Sequence, residues 1–392
     1  MAEHYEVIII GAGSMGGAAA NVLAERGVKV LALETFWPGH DQGSAHGGTR
    51  IIRQAYFESP DYVPLLKRAY EGWKKLEEES GRDILKLCGN INIGHPESLT
   101  FKGSLDAAQE HGLEYEILTA EEIRERFPTM NPKDHALGLY EPNAGYVRPE
   151  ETTMANAEVA QRKGADIHFG EPVTHWATLP DGQVQVVTSK GTYTGEKLIV
   201  TPGAWAPQLL PELNFPISIE RMVFHWFTPD YSSVPYEKYA DDQHPVYVEQ
   251  TDDNDQIYGF PMTDGPEGGL KFGFFRVGSP TTPQTIDRNV YPEEIATMHH
   301  RGLELFPHLT PNVVQAKTCL YSVTPDEHFI VGLHPDKPQV VIGCGFSGHG
   351  FKFVPVIGEI LADLAMYGKT EMNIALFDPQ REALRQPLST AV

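Results

Sequence analysis

Basic residues are scarce in this chain of 392 residues: 31 Lys and Arg stand against 53 Asp and Glu, a formal net charge of −22. A surface of that sign repels a phosphate backbone over most of its area, which excludes a general nucleic-acid binder. Cysteine is scarcer still. Cys88, Cys319 and Cys344 are an odd set without CxxC or zinc-ligand spacing, which argues against a disulfide scaffold and for a reducing cytoplasm. No apolar run is long enough to span a membrane. The acids of MAEHYEVIIIGAG precede a run too short for a secretory leader. The 16 histidines form no HExxH or comparable spacing, so a metal enzyme has little support. The sequence reads as that of a soluble cytoplasmic protein with no nucleic-acid or membrane partner.

What is present is a loop-rich globular chain, and its length makes two domains the expectation. Tyr5–Ile10 is a β-branched run ending in Gly11-Ala12-Gly13-Ser14-Met15-Gly16, which fits GxGxxG. A helix follows from Gly17 to Arg26, closed by Gly27 as a C-terminal cap, and Val28–Leu33 is a second strand with Glu34 at its end. Glycines in this context let the backbone approach a pyrophosphate, and the helix N-terminus points its dipole at the charge. Glu34, 23 positions after Gly11, suits a ribose hydroxyl and disfavours a 2′-phosphate. FAD and NAD are not separated by this segment.

The same pattern recurs near the carboxyl end. Val340-Val341-Ile342 leads into Gly343-Cys344-Gly345-Phe346-Ser347-Gly348-His349-Gly350-Phe351-Lys352, followed by an amphipathic helix with Val356, Ile357, Ile360, Leu361 and Leu364 on one side. A helix N-terminus there can stabilise an anion, including the charge a reduced flavin ring carries. Between the two loops, strands are expected at 166–169, 173–176, 184–188 and 197–200, the last running into the small-residue turn Thr201-Pro202-Gly203-Ala204-Trp205. Such an interrupted nucleotide domain is the flavoprotein layout. The expected division is an FAD-binding unit over 1–85, 156–214 and 321–392, of Rossmann type, and a substrate unit over 86–155 and 215–320. Strand-like runs at Met222–Thr228, Val246–Glu249, Ile257–Phe260 and Leu270–Phe275 predict an antiparallel sheet in the second unit, an α/β fold overall.

Ordered landmarks along nearly the whole chain resemble the monomeric sarcosine oxidase and N-methyltryptophan oxidase family. They are GAGSMG, GSAHGGTRIIRQAY (Gly43–Tyr56), YVPL, KLIVTPGAW, YGFP, GLKFG, Cys319 with DEHFI (Asp326–Ile330), and GFSGHGFKF (Gly345–Phe353). The resemblance implies FAD carried on Cys319 through a thioether, although an isolated Cys by itself reads as a small buried hydrophobe. It implies that Gly11, Gly13, Ser14, Met15, Gly16, Glu34, Ser44, Thr49, Arg50, Val173, Gly345, Phe346, Gly348, His349, Gly350 and Lys352 lie with the cofactor. Arg53 and Lys352 are expected to hold a substrate carboxylate, the first as a bidentate fork and the second as a point charge. His46 and Arg50 are expected beside the flavin ring, His349 at its edge, and Tyr258 and Tyr321 along the substrate cavity.

Lys271 matches the lysine that promotes the reaction of reduced flavin with oxygen. Two positions depart from the family: Phe275 replaces a histidine, and Tyr247 aligns with a pocket methionine. The reaction implied is oxidation of a small secondary amino acid such as sarcosine, giving an aldehyde, the shortened amine and hydrogen peroxide, by a monomer. N-methyltryptophan, pipecolate and glycated amino acids stay open as substrates. So do a flavin amine dehydrogenase with a protein acceptor, a non-catalytic flavin module and an NAD-linked enzyme.

Overall fold

The computed structural model describes residues 3–385; residues 1–2 and 386–392, the outer ends of the expected cofactor unit, lie outside the described residues. Strand Glu3–Ile10 is the centre of an eight-stranded sheet. It pairs in parallel with Val30–Leu33 on one side and Thr192–Val200 on the other. The sheet extends through Asp166–His168 at one edge and through Lys337–Cys344 beside the carboxyl end of Thr192–Val200. The β-branched runs of these strands are buried on both faces, as a parallel sheet requires.

Helices Ser14–Glu25, Pro149–Arg162 and Val354–Tyr367 cover one face. On the first helix, small side chains allow close approach: a Cβ at Gly358 would collide with Ala18. Sequence patterning separates a short return at Thr192–Tyr193 from a strand at 197–200, but Thr192–Val200 is one strand. Its first half closes an antiparallel meander with Val184–Thr188, and its second half meets Lys337–Cys344, so the sheet forks there.

The other large sheet has nine strands. Ser218–Pro229 pairs along most of its length with Leu309–Val323, and on its other edge with Leu270–Phe275. The order continues through Gln256–Gly259, Val246–Gln250, Asn90–Gly94, Leu137–Glu141 and Glu116–Thr119. It is not wholly antiparallel as expected: Val246–Gln250 and Asn90–Gly94 run parallel. Those segments are more than a hundred residues apart in sequence, so no hairpin fixes their direction.

Strand alternation divides this sheet into two faces. Leu270 and Phe272 enter the core under helix Pro292–Leu305, whereas Lys271 and Phe275 face the eight-stranded sheet's side with Phe224, Trp226 and Cys319. The back core holds an ion pair, Arg301 Nη2 to Glu249 Oε2 at 2.6 Å, with both side chains under a tenth exposed. Breaking such a pair leaves an uncompensated buried charge. Arg301→Ala is therefore expected to destabilise the protein by about 3 kcal/mol in denaturant unfolding, a loss that Arg301→Ala/Glu249→Ala should partly recover.

Candidate cofactor and substrate site

Between the two sheets lies a cavity of about 500 Å³. Its floor is the first glycine loop. Gly11 has φ +89° and Gly16 a neighbour so close that a Cβ would collide with the Gly11 carbonyl, while a Cβ at Gly13 would meet nothing within 4 Å. So Gly11 makes the turn, Gly16 lets the helix pack on the strand, and Gly13 leaves room above the helix end. Helix Ser14–Glu25 has no side-chain cap and no acid in its first turn, so its N-terminal N–H groups stay available to an anion. Glu34 lies against the cavity and accepts a hydrogen bond from the Phe36 N–H at 3.1 Å. Burial raises its carboxyl above the usual range, against the N–H groups of Phe36 and Ala12.

Of the residues expected to hold the cofactor, Gly11, Gly13, Ser14, Met15, Glu34, Ser44, Arg50, Val173, Gly345, Phe346, Gly348 and Gly350 line this cavity. Five do not. Gly16 acts behind the loop. Thr49 instead lines a second cavity of about 300 Å³ and binds Lys271. Cys319 is buried one residue before Leu320 and Tyr321, which line the larger cavity. His349 and Lys352 turn into an aromatic cluster. The His349 Nε2 donates to the Glu327 carbonyl at 2.9 Å, and its Nδ1 takes the Tyr56 hydroxyl. Both nitrogens are thus engaged, and burial pushes the imidazole down to about 3.

The turn Thr201–Trp205 lines the cavity and was singled out in sequence as a small-residue turn, yet none of its residues stood among the candidates. Thr201 Oγ1 donates to the Gly11 carbonyl at 2.8 Å and so holds the glycine loop. The strand-then-turn pattern was the available signal.

Cations gather around the cavity. Arg50 faces it and donates to the Thr49 and Ser44 carbonyls at 2.7 and 2.6 Å. Lys271 is buried, donating to the Gly47 carbonyl at 2.7 Å and to the carbonyl and hydroxyl of Thr49, each at 3.0 Å. Burial and then Arg50 push its amine well below the ordinary lysine value. It faces the second cavity, with Glu150 and Lys317. His46 is buried beside Phe224 with neither ring nitrogen hydrogen-bonded, and burial followed by Arg50 lowers it to about 3. It is therefore neutral at ordinary pH.

Arg53 and Lys352 meet across one ring: the guanidinium lies 4.5 Å from the Tyr56 centroid and the Lys352 Nζ 5.1 Å from it. Lys352 Nζ donates to the His349 carbonyl at 2.9 Å; burial and then Arg53 bring its amine down to about 7. Arg53 reaches Glu58 Oε2 at 2.8 Å in a buried pair. Burial alone would raise the Glu58 carboxyl, but Arg53, then His349 and Lys352, hold it at about 2. Glu58 was missed in sequence, where it reads as one more acid of an acidic chain.

Tyr258 and Tyr321 stand together beside Cys319, Tyr258 pushed up to about 12 by burial. The Phe275 ring is edge-on to Tyr258 at 6.4 Å. Tyr247 is not on this face. It is buried in the back core against Phe306 at 5.1 Å, and Val248, the next residue, occupies the pocket side. A shift of one position along a strand exchanges the faces.

A family model described as FAD dependent oxidoreductase matches residues 6–364. The chain belongs to that family. Its cofactor is FAD, and the open glycine loop, the free helix end and the carboxylate-free Arg50 fit a dinucleotide with an anionic ring. The chain is 50% identical to monomeric sarcosine oxidase of Streptomyces avermitilis over 98% of its own length and 99% of the relative's. It is 34% identical to N-methyl-L-tryptophan oxidase of Yersinia pestis over 96% and 99%. Among solved structures, NikD, an unusual amino acid oxidase essential for nikkomycin biosynthesis, superposes with a TM-score of 0.83 at 26% identity, covering 96% and 98% of the two chains. L-Proline dehydrogenase from P. horikoshii gives a TM-score of 0.82 at 25% identity, covering 97% and 98%.

Because a Cβ at Gly16 would collide with backbone, Gly16→Val is expected to displace the helix end. Purified Gly16→Val should carry roughly a tenth of the parent's flavin per chain by absorbance, with near-parental far-ultraviolet circular dichroism.

Proposed function

We propose that this chain is an oxidase of small secondary amino acids of the sarcosine type, with oxygen as the acceptor. The observation that carries the reading is the pair of buried cations, Arg53 and Lys352, on one ring, with Arg53 also over Phe57 of the aromatic cluster that holds Tyr258, Phe275 and the cavity-lining Tyr321. Overall, an N-methyl amino acid, water and oxygen give the primary amine, formaldehyde and hydrogen peroxide, which balances. FAD supplies the two-electron acceptor when bound. In this reading 1–85, 156–214 and 321–392 hold the cofactor and 86–155 and 215–320 the substrate.

The chain's own residues do the following. Arg53 and Lys352 bind the carboxylate and so fix the N-alkyl carbon. Tyr258 and Tyr321, both un-ionised, offer hydroxyls beside the reacting amine, which must be neutral to assist oxidation. Phe275 and Val248 exclude water from the apolar side. Lys271 is the cation for oxygen: its direct bonds go to carbonyls and a hydroxyl, and Glu150, in the same small cavity, favours its charged form against burial. Arg50 stabilises negative charge on the cofactor side. Cys319 is the attachment point we assign to FAD. Its position next to Leu320 and Tyr321 on the cavity wall supports this, as do Arg50 and Lys271, which lower a thiol that burial raises. The protein works as a monomer in a reducing cytoplasm.

Three measurements test this. Acid precipitation should leave the yellow colour in the pellet, and Cys319→Ser should release it to the supernatant; colour released from the parent removes the linkage. Lys271→Met should slow reoxidation of the reduced enzyme by oxygen about a hundredfold or more, while anaerobic reduction by sarcosine changes little. For pH, Lys352 at about 7 in the free enzyme is cationic below that value and neutral above it. The kcat/KM for sarcosine should therefore bear a falling limb as pH rises through about 7. Lys352→Arg, charged throughout, should lack that limb.

A further inference from the structure

One more cation stands near the carboxylate clamp. Arg276 follows Phe275 at the end of strand Leu270–Phe275, and its guanidinium lies 4.6 Å from the Phe275 ring centroid. Its Nη1 meets Glu327 Oε2 at 2.7 Å, the two side chains being 23% and 39% exposed. The pair is thus partly exposed and joins Phe275, at the edge of the aromatic cluster, to the turn before Ile330–His334. That turn is itself part of the clamp, because the Glu327 carbonyl receives the His349 N–H and His349 in turn takes the Tyr56 hydroxyl.

Two further observations mark the pair. Both partners hold left-handed backbone, Arg276 with φ 64° and Glu327 with φ 60°. Side chains larger than Asn rarely adopt it, and such conformations concentrate where structure is over-determined for a function. The Arg276 Nε is also buried without a hydrogen-bond partner. The charge of Arg276 reaches Glu58, His349, Lys352 and Tyr56.

The charges then balance in a particular way. Glu58 answers Arg53, Glu327 answers Arg276, and among the described residues Lys352 is bonded to a carbonyl and to no carboxylate. One positive charge is left for one carboxylate. We propose that the Arg276–Glu327 ion pair is the charge-selecting rim of the substrate pocket: Glu327 cancels Arg276, so the pocket takes amino acids with one carboxylate and an uncharged side chain and refuses a second carboxylate. This rests on the substrate reading given above.

The flavin-loaded enzyme is titrated with acetate and with malonate at neutral pH, and the visible flavin spectrum reports each Kd. Glu327→Gln should shift the preference toward malonate about fivefold, and Glu327→Asn, which accepts left-handed backbone, should do the same. Arg276→Gln, leaving Glu327 unanswered, should shift it about fivefold the other way. Arg276→Gln/Glu327→Gln should restore the parent's ratio, which a merely bracing role would not do. An unchanged ratio in flavin-loaded single variants, or a shift that persists in the double variant, overturns the rim assignment alone. If acetate leaves the parent's spectrum unchanged, the carboxylate clamp fails and the rim falls with it.

Discussion

The site depends on keeping positive charge unanswered inside an acidic protein. Arg50, Lys271 and Lys352 are held by backbone carbonyls, with a hydroxyl added at Lys271. Carbonyl dipoles orient a cation without cancelling it, so each retains a field that an anionic ligand can satisfy. The cost is visible in the lysines, whose amines burial drives down. Arg53 is the exception, paired with Glu58, and that pair permits a second buried cation within reach of Lys352.

Holding these cations requires loops from distant parts of the chain. The Gly47–Thr49 turn, which receives Lys271, is fastened by Glu150 through its glycines: the carboxylate accepts the Gly47 N–H at 2.6 Å and the Gly48 N–H at 3.2 Å. Glu150 belongs to the first turn of the helix Pro149–Arg162 that packs on the eight-stranded sheet, and Lys271 to the other sheet. The segment from Ser44 to Arg53 therefore joins the two sheets' sides. Ser44 and Arg50 line the larger cavity, Gly47 and Thr49 line the smaller one, and Arg53 lies on the Tyr56 ring.

Much of this was legible in the order of residues. The first glycine loop carries its own context, a strand before it and a helix after it, and each glycine has a separate local reason to be there. The second loop and the cluster from His46 to Arg53 were visible as glycine and charge against the background. Two features were not legible. Val248 rather than Tyr247 faces the Tyr258 cluster, because a shift of one residue along a strand reverses its face and is invisible in sequence. His349, Lys352 and Thr49, which the resemblance places with the cofactor, do not line the larger cavity, because a neighbour in sequence on a turn can point the opposite way.

Sequence by itself determined the strands, the helix that follows each glycine loop, and the presence of the cations, since all of these depend on local pattern and residue type. Tertiary structure alone decided which partners those charges received. Glu58 rather than solvent answers Arg53, Glu327 answers Arg276 from fifty-one residues away, and carbonyls answer Lys271 and Lys352. Whether a cation is neutralised or left free is a property of the few ångströms around it, and those are set by segments that meet only when the chain has folded.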